Sequence, residues 1–189
     1  DVSTLPADVV SDAKTVTIPY PSQTSEARWE YDDATGRYLR FTTDEPHMDF
    51  NGGQVSAANV VIYFADHQDT DIVEDSAGAT SIRIIVNGFG PAWLVRDGKL
   101  LKGNWETDGR ETPRFIFGDG SPMPFKPGNT WVEVVPLDYA IEIDGATQEF
   151  EGQIPADDST GDTDDTGNEA APVIAPTLTP IGARPQPGN

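Results

Sequence analysis

Short runs of β-branched and aromatic residues follow one another along most of the chain, and turn residues separate them at nearly regular intervals. Runs of this length and composition are typical of β-strands. They are TVTIPY (15–20), EARWEYDD (26–33), GRYLRFT (36–42), AANVVIYFA (57–65), TSIRIIVNG (80–88), TPRFIFG (112–118), TWVEVVPL (130–137) and YAIEID (139–144). No convincing amphipathic helical pattern accompanies them. The sequence therefore predicts an all-β fold.

Three turn sequences predict antiparallel hairpins between neighbouring strands. Asp97-Gly98 separates two apolar-rich arms in LVRDGKLLKGNW, and Asp144-Gly145 occupies the same place in EIDGATQEF. Asp-Gly between such arms is the strongest short hairpin signal, because both residues accept a positive φ. YDDATGRY predicts a third hairpin with a longer loop. We expect an antiparallel sandwich or a partly open barrel.

The run AANVVIYFA differs from an ordinary half-exposed strand, because neither of its alternating sets of side chains is polar. Val60, Ile62 and Phe64 are expected to face one layer, and Val61 and Tyr63 another. This run is therefore predicted to be a central strand that is covered on both sides.

Charge divides the chain into unequal parts. Residues 127–189 hold 12 of the 32 acidic residues but only one of the 12 basic ones, Arg184. The end of this part combines an Asp/Thr/Gly run with a Pro-rich segment, and it has too few large apolar residues to form a core. We predict an N-terminal extension (1–13), a β domain (14–152) and a disordered or extended acidic, Pro-rich tail (153–189).

Composition excludes several classes of function. A formal net charge of -20 repels phosphate backbones and anionic membrane surfaces, so we expect no nucleic acid partner. No apolar run approaches the ~20 residues of a membrane-spanning helix, so no direct membrane insertion is expected. The chain has no cysteine, which excludes disulfides and thiolate chemistry. Because it begins with Asp1 rather than Met, we expect a processed chain or a segment of a longer protein.

The stretch DEPHMDF (44–50) contains one of only two histidines. If residues 46–50 are extended, Met48 and Phe50 point to the core, and His47 and Asp49 share the opposite face. A histidine beside a carboxylate is the minimum for acid–base chemistry, but a third catalytic partner cannot be identified in the sequence. An exposed strand face has the same appearance. The expected contact is a hydrogen bond from His47 to Asp49 or to Arg40.

Two acidic segments raise the question of metal binding. His67 lies in FADHQDTDIVED, which we interpret as a loop of solvated charges, because metal ligands need a fixed geometry. The tail segment DTDDTGNEAAPV begins like a calcium loop at Asp162, but its twelfth position is Val173 rather than a glutamate. No metal site and no cofactor are predicted, and the acidic tail is expected to bind calcium weakly at most.

Aromatic residues cluster on the predicted hairpins. Trp29 and Tyr31 alternate on one strand, Tyr38 lies across the turn, and Trp93 and Trp105 flank the later hairpin. Core packing is the ordinary role of such side chains. An exposed row would instead form a stacking platform for sugar rings.

Several of these motifs together resemble the C-terminal domain of the YerB-like family of bacterial lipoprotein-like proteins, a family of unknown function. The resemblance covers residues 15–136. It is carried by WEYDDATGRYLRF, EPHMDFNGGQVSAANVVIYF, IRIIVNGFGPAWLVRDGKLLKGNW and PGNTWVEVVP. The matching positions are Tyr38 and Arg40, His47 and Asp49, Asn59 to Val61, Gly103 and Trp105, and Gly128 to Pro136. It implies an exported protein at the cell surface of a bacterium or outside the cell.

The resemblance strengthens the expectation that polar groups on or beside neighbouring strands converge at one end of the sheet. The candidate binding residues are Arg40, His47, Asp49, Asn59 and Trp105, with Trp105 as an apolar wall. A buried network that only satisfies its own hydrogen bonds is the alternative.

Four functions from different classes remain open. The first, which we favour, is a non-catalytic binding or assembly module of the cell envelope whose ligand is unknown. The others are a binder of carbohydrate or cell-wall polymer, a hydrolase that uses His47 and Asp49, and a structural subunit that self-assembles or binds a protein partner through edge strands.

Overall fold

A computed structural model of the protein describes residues 2, 5, 9–20 and 26–148. The predicted tail, including its calcium-like segment, lies outside the described residues. Fourteen strands in the described ranges form two open sheets, so the predicted all-β class is confirmed. None of the helical structure in these ranges is long and apolar enough to cross a membrane.

Each sheet has seven strands. The first sheet has the order β1-β10-β9-β7-β12, with β8 paired to β7 and β11 paired to β10. Its strands are β1 (Val10–Asp12), β7 (Asn59–Val73), β8 (Thr80–Ile85), β9 (Gly88–Arg96), β10 (Lys99–Thr107), β11 (Arg114–Ile116) and β12 (Thr130–Pro136). The segment expected to be an N-terminal extension thus contributes β1, which pairs with β10.

The second sheet has the order β14-β13-β2-β3-β4-β5, with β6 paired to β4. Its strands are β2 (Thr15–Ile18), β3 (Ala27–Asp32), β4 (Arg37–Thr42), β5 (Glu45–Pro46), β6 (Ser56–Ala57), β13 (Ile141–Ile143) and β14 (Ala146–Gln148). Its strand pairs are antiparallel.

Side chains from both sheets meet in one inner core. Val60, Ile62 and Phe64 of β7 pack there against Trp29 and Tyr38 of the second sheet, and all five are fully buried. Burying a side chain of this size contributes about 1.5–3 kcal/mol. The inner core therefore holds the two sheets together as a sandwich.

The other side of the first sheet carries a second, outer core. Val61 and Tyr63 of β7 contribute to it, and Phe117 and Met123 from the segment after β11 cover it. The predicted division of β7 between two layers is therefore confirmed. This strand is central because apolar residues occupy both of its faces.

The three predicted hairpins are present. Asp97-Gly98 joins β9 to β10 and Asp144-Gly145 joins β13 to β14, while YDDATGRY joins β3 to β4. All four Asp and Gly residues have positive φ angles, between 50° and 78°. This is the backbone of a type I′ turn, whose twist matches that of the strands it connects.

Two features differ from the prediction. The segment containing His67, interpreted as a loop, continues β7 as far as Val73 and pairs with β8. Its charged side chains point to water, so the extended backbone is held by hydrogen bonds to β8 and not by an apolar core. In addition, β12 runs parallel to β7. After β11, which pairs with β10, the chain crosses the sheet and places β12 on the side of β7 opposite β9.

Candidate functional site

The predicted site residues do not form one group. Arg40 and His47 are in contact, since Arg40 Nη1 donates a hydrogen bond to His47 Nδ1. The backbone enforces this contact, because His47 N donates to Arg40 O at 2.9 Å where β5 pairs with β4. Arg40 Nη1 also donates to Thr42 Oγ1 at 3.1 Å. Of the two partners expected for His47, Arg40 is therefore the one that it contacts.

The Asp49 carboxylate accepts hydrogen bonds from its own turn rather than from His47. Its Oδ1 accepts hydrogen bonds from Asn51 N at 2.7 Å and from Gly53 N at 3.1 Å. The predicted burial of Met48 and Phe50 is wrong, since these side chains are 51% and 104% exposed. The reason is that the backbone doubles back at this point, so the strand alternation on which the prediction relied ends near His47.

Asn59 is fully buried at the start of β7, and its amide is satisfied inside the protein. Its Nδ2 donates to Lys126 O at 2.9 Å and to Thr130 Oγ1 at 3.3 Å, and its Oδ1 accepts from Lys126 N at 2.8 Å. These bonds hold the segment that leads into β12 against the start of β7. The Asn59 side chain therefore has a structural role there, and it does not face the Arg40–His47 contact.

Trp105 lies on the other side of the first sheet from Arg40 and His47. It is 3% exposed, stacks on Tyr63 with ring centroids 4.5 Å apart, and donates from Nε1 to Phe64 O at 2.7 Å. A Cβ at Gly90 would lie 2.7 Å from its indole ring, so only glycine leaves room for it. Trp105 fills the place where β9 parts from β7, so it does not form the expected apolar wall beside His47.

Glu133 of the first sheet is the polar residue that contacts Arg40 of the second sheet. It is 6% exposed and projects from β12 into the inner core. Its two carboxylate oxygens accept from Trp29 Nε1 at 3.1 Å and from Tyr20 Oη at 3.0 Å, and Arg40 Nε lies 3.7 Å away. Burial, followed by the negative charge of Glu133, raises the pKa of the Tyr20 hydroxyl.

Aromatic rings enclose this carboxylate and its arginine. The Arg40 guanidinium lies 5.0 Å from the ring centroid of Trp131, and the His47 ring meets Trp131 edge-on at 6.5 Å. Arg40 Nε has no hydrogen-bond partner among the described residues, and its charge is balanced by Glu133. We call Tyr20, Trp29, Arg40, His47, Trp131 and Glu133 the Glu133 cluster. Its contacts are internal, which is the arrangement of a network that fixes the packing of two sheets.

The acidic segment around His67 does not assemble into a metal site. His67 Nδ1 contacts Ala65 O at 2.9 Å. In the described part of the chain, no three His, Asp or Glu side chains lie together as potential metal ligands.

A different surface stands out because it is apolar. Of the nine large hydrophobic residues exposed in the described ranges, two belong to the turn at Met48 and Phe50. The other seven, which we call the apolar face, are Ile72, Val73, Ile82, Ile84, Val86, Phe89 and Val132. Most of them lie on or beside the arm formed by the distal part of β7 and by β8, which extends beyond the paired length of β12.

A cavity of about 370 Å³ continues the apolar face toward the outer core. Tyr63, Phe115 and Val134 line it together with Val86 and Val132 of the apolar face. Burial raises the pKa of Tyr63 to about 12, and its hydroxyl donates to Val86 O at 3.3 Å.

A second cavity of about 450 Å³ adjoins the first and is more polar. The two share Thr107, Glu111 and Thr112, and Glu106, Asp108 and Arg114 line the second one. Arg114 pairs with Glu106 at 3.2 Å. The pair of cavities therefore has an apolar half and an acidic half.

The geometry defines a class of protein: a two-sheet β sandwich with a projecting strand arm and an apolar surface beside it. The chain belongs to the family described as "Protein of unknown function (DUF3048) C-terminal domain", whose model matches residues 16–132. The YerB protein from Bacillus subtilis has a similar crystal structure, with a TM-score of 0.53 and 25% sequence identity. The match covers 67% of this chain and 42% of that chain. No curated protein matches the chain.

Sequence reasoning missed Glu133, and a signal for it was present. In TWVEVVP, Trp131, Glu133 and Val135 share one face of the strand, so one charged side chain occupies a face that is otherwise apolar. The apolar face was missed because TSIRIIVNG was interpreted as a strand of the body. Its apolar side chains gave no indication that no layer of the described residues would cover them.

Proposed function

We propose that the protein is a non-catalytic binding or assembly module of the bacterial cell envelope, and that a partner protein binds to its apolar face. The single observation that carries this proposal is the concentration of exposed hydrophobic side chains on and around the projecting arm. Ile72, Val73 and Ile82 are each more than half exposed there. Apolar surface in contact with water is unfavourable, so a contiguous patch on a soluble domain is typical of an interaction site.

The register of the arm places Ile82 and Ile84 of the apolar face on the same side as the cavity. Ile84 pairs with His67 and Ile82 pairs with Asp69, so all four side chains share one face of the arm. By the same alternation this is the face to which Tyr63 belongs, and Val86 lies directly at the Tyr63 hydroxyl. A partner could therefore contact the arm and the cavity at the same time. Such a surface suits a protein better than a small compact ligand.

The alternatives have less support. Trp29, Trp93 and Trp105 are buried in the two cores, so they offer no stacking platform for sugar rings. His47 bonds to Arg40, and Asp49 bonds to its own turn, so a hydrolase that uses this pair lacks its first contact. The placement in the cell envelope depends on the YerB-like resemblance.

Site-specific photo-crosslinking in a bacterium that produces the protein tests this proposal. A photoreactive phenylalanine analogue replaces Phe89, which belongs to the apolar face, and in a separate variant it replaces Phe50 as the matched control. Both side chains are exposed aromatic residues. Phe89 lies in β9 of the first sheet, whereas Phe50 lies in the turn between β5 and β6 of the second. We expect a discrete protein adduct from position 89 in the envelope fraction, and we expect none from position 50.

The adduct must also depend on the rest of the apolar face. Ile84→Arg should remove it while the melting temperature stays nearly unchanged, because Ile84 is partly exposed and its substitution leaves no cavity. Equal adducts from positions 89 and 50, or an adduct that survives Ile84→Arg, would contradict the proposal. An adduct confined to the cytoplasm would contradict the proposed location.

A further inference from the structure

We propose that the partner segment is an extended basic strand that pairs with the free edge of β12 and places apolar and basic side chains on the same face. This inference rests on the proposed function, because it names the chemistry and the binding mode of the partner. It starts from the position of β12 at the end of the first sheet. Within the described residues, β12 pairs only with β7 and leaves its other edge without a strand.

The free edge lies directly beside the cavity. Val132 and Val134 of β12 line the apolar cavity, and they pair with Val61 and Tyr63 of β7. A strand added next to β12 would therefore direct every second side chain toward this cavity. Its backbone would satisfy the unpaired N–H and C=O groups of β12, which are otherwise a liability of an exposed edge.

The carboxylates beside the apolar cavity indicate that the partner segment also carries basic side chains. Glu111 belongs to both cavities, and Glu106 and Asp108 line the acidic one. Of these three carboxylates, only Glu106 has a side-chain ion pair among the described contacts, with Arg114. A lysine or arginine near an apolar side chain on the same face would reach them. The acidic surface disfavours a second copy of this chain, whose formal net charge is -20.

Synthetic peptides and the full chain provide a direct test by fluorescence anisotropy. The first peptide carries valine and lysine at odd positions and threonine at even positions, so that one face holds both. The second has the same composition, with its lysines moved to even positions. We expect the first peptide to bind roughly tenfold more tightly, because only it can fill the cavity and reach Glu111 together. Equal affinity would overturn the inference.

Two further peptides test the pairing of the backbone. One is the first peptide with N-methyl groups on every odd residue, and the other carries them on every even residue, so that each blocks one edge of the strand. Pairing with β12 requires that one of the two loses binding and that the other keeps it. If both retain or both lose affinity to the same extent, strand addition is wrong.

Protein variants locate the contact. Glu111→Lys should abolish the preference for the first peptide, whereas Glu142→Lys, an exposed control on the second sheet, should leave it unchanged. No binding of any peptide would overturn this inference, whereas the photo-crosslinks at position 89 test the proposed function independently. A dimer seen by sedimentation and lost in Val132→Asp would assign the edge to a second copy. Binding that appears only after removal of residues 149–189 would assign it to the chain's own tail, and both results would overturn the inference.

Discussion

Glu133 is a charged residue at a position that strand alternation assigns to the core. A lone buried carboxylate would cost several kcal/mol, and the protein offsets this cost with two hydrogen-bond donors and one guanidinium. The donors are Trp29 of β3 and Tyr20, which follows β2, whereas Glu133 itself belongs to the first sheet. The Glu133 cluster therefore links the two sheets through directional contacts, which apolar side chains in the same core do not provide.

Removing this carboxylate should destabilise the fold strongly. We expect Glu133→Ala to lower the free energy of unfolding by about 3–5 kcal/mol, because Arg40 would remain buried without its counter-charge. Glu142→Ala, on the exposed side of β13, is the control and should change it by less than about 0.5 kcal/mol. Urea unfolding followed by tryptophan fluorescence measures both. Similar midpoints for the two variants would show that the cluster does not stabilise the sandwich.

His47 should be coupled to Arg40 and independent of Asp49. In double-mutant cycles with alanine, we expect an interaction energy of about 0.5–3 kcal/mol for His47 and Arg40, which share a hydrogen bond. For His47 and Asp49 the expected value is below about 0.5 kcal/mol, because Asp49 bonds to its own turn. Chemical denaturation of the single and double variants gives both energies. A larger coupling for His47 and Asp49 would restore the pair that the sequence indicated.

At this scale the sequence predicted a contact better than it predicted a site. Of the two expected contacts of His47, the hydrogen bond to Arg40 is present. Asn59 and Trp105 lie apart from this contact, because they belong to the first sheet, whereas Arg40 and His47 lie in or beside strands of the second. A linear sequence gives the side of each strand to which a residue points. It does not give the side of the sheet on which two distant strands place their residues.

Among the elements, the Asp-Gly hairpins were predictable because their chemistry is local. The Asp97 turn is also tied to the body of the domain, since Lys126 Nζ donates to Asp97 Oδ1 at 2.7 Å and to Gly36 O at 2.7 Å. Partial burial would raise the pKa of Asp97, but hydrogen bonds from Lys126 and Arg96 outweigh it and lower that pKa. Within the part of the chain that the structure describes, the Asp144 carboxylate instead accepts a hydrogen bond from Thr15 N at 2.7 Å and contacts no lysine.

Two glycines in equivalent turns should respond differently to alanine. Gly145 has a φ of 78° and open space around it, so Gly145→Ala should cost only the backbone penalty of about 1–2 kcal/mol. At Gly98, with a φ of 69°, a Cβ would also lie 3.2 Å from Lys14 and Tyr31. We expect Gly98→Ala to cost at least about 1 kcal/mol more, because of overpacking. Thermal unfolding of both variants tests this, and equal losses would contradict it.

The projecting arm shows where local prediction fails. The run of Asp66, Asp69 and Asp71 has the composition of a loop, yet these residues lie in a strand because β8 pairs with residues 66–69 and again with Val73. Pairing of this kind depends on a segment about fifteen residues away, and single-residue propensities do not contain it. The same pairing places Ile82 and Ile84 on a common face and so creates the apolar face.

For the whole molecule, the all-β class followed from the spacing of strands and turns, and the double coverage of β7 followed from its two apolar faces. The arrangement of two seven-stranded sheets did not follow, because it requires the crossover that brings β12 parallel to β7. That crossover also positions Glu133 in the inner core and leaves the free edge beside the apolar cavity. The topology thus places the Glu133 cluster on one face of β12 and the apolar cavity on the other, with the proposed binding edge between them.

Tyrosine ionisation should couple to unfolding of the whole domain. Burial raises the pKa of four of the five tyrosines, which are Tyr20, Tyr38, Tyr63 and Tyr139, above the ordinary value of 10.0. A raised pKa in the folded state contributes stability that is present below pH 10 and is lost as the pH rises through the raised values. These tyrosines lie in both cores or contact residues of the inner core.

We therefore expect the tyrosinate absorbance of these four residues to appear well above pH 10, in a cooperative step that coincides with the loss of near-ultraviolet circular dichroism. The reason is that the buried hydroxyls of Tyr38 and Tyr63 cannot ionise in place without an unpaired charge in a core. Tyr63→Phe should remove part of the amplitude and shift the step only slightly, since it deletes one titrating group and one 3.3 Å hydrogen bond. Gradual ionisation near pH 10 with native circular dichroism retained would contradict the burial of these side chains and, with it, the packing of the two sheets.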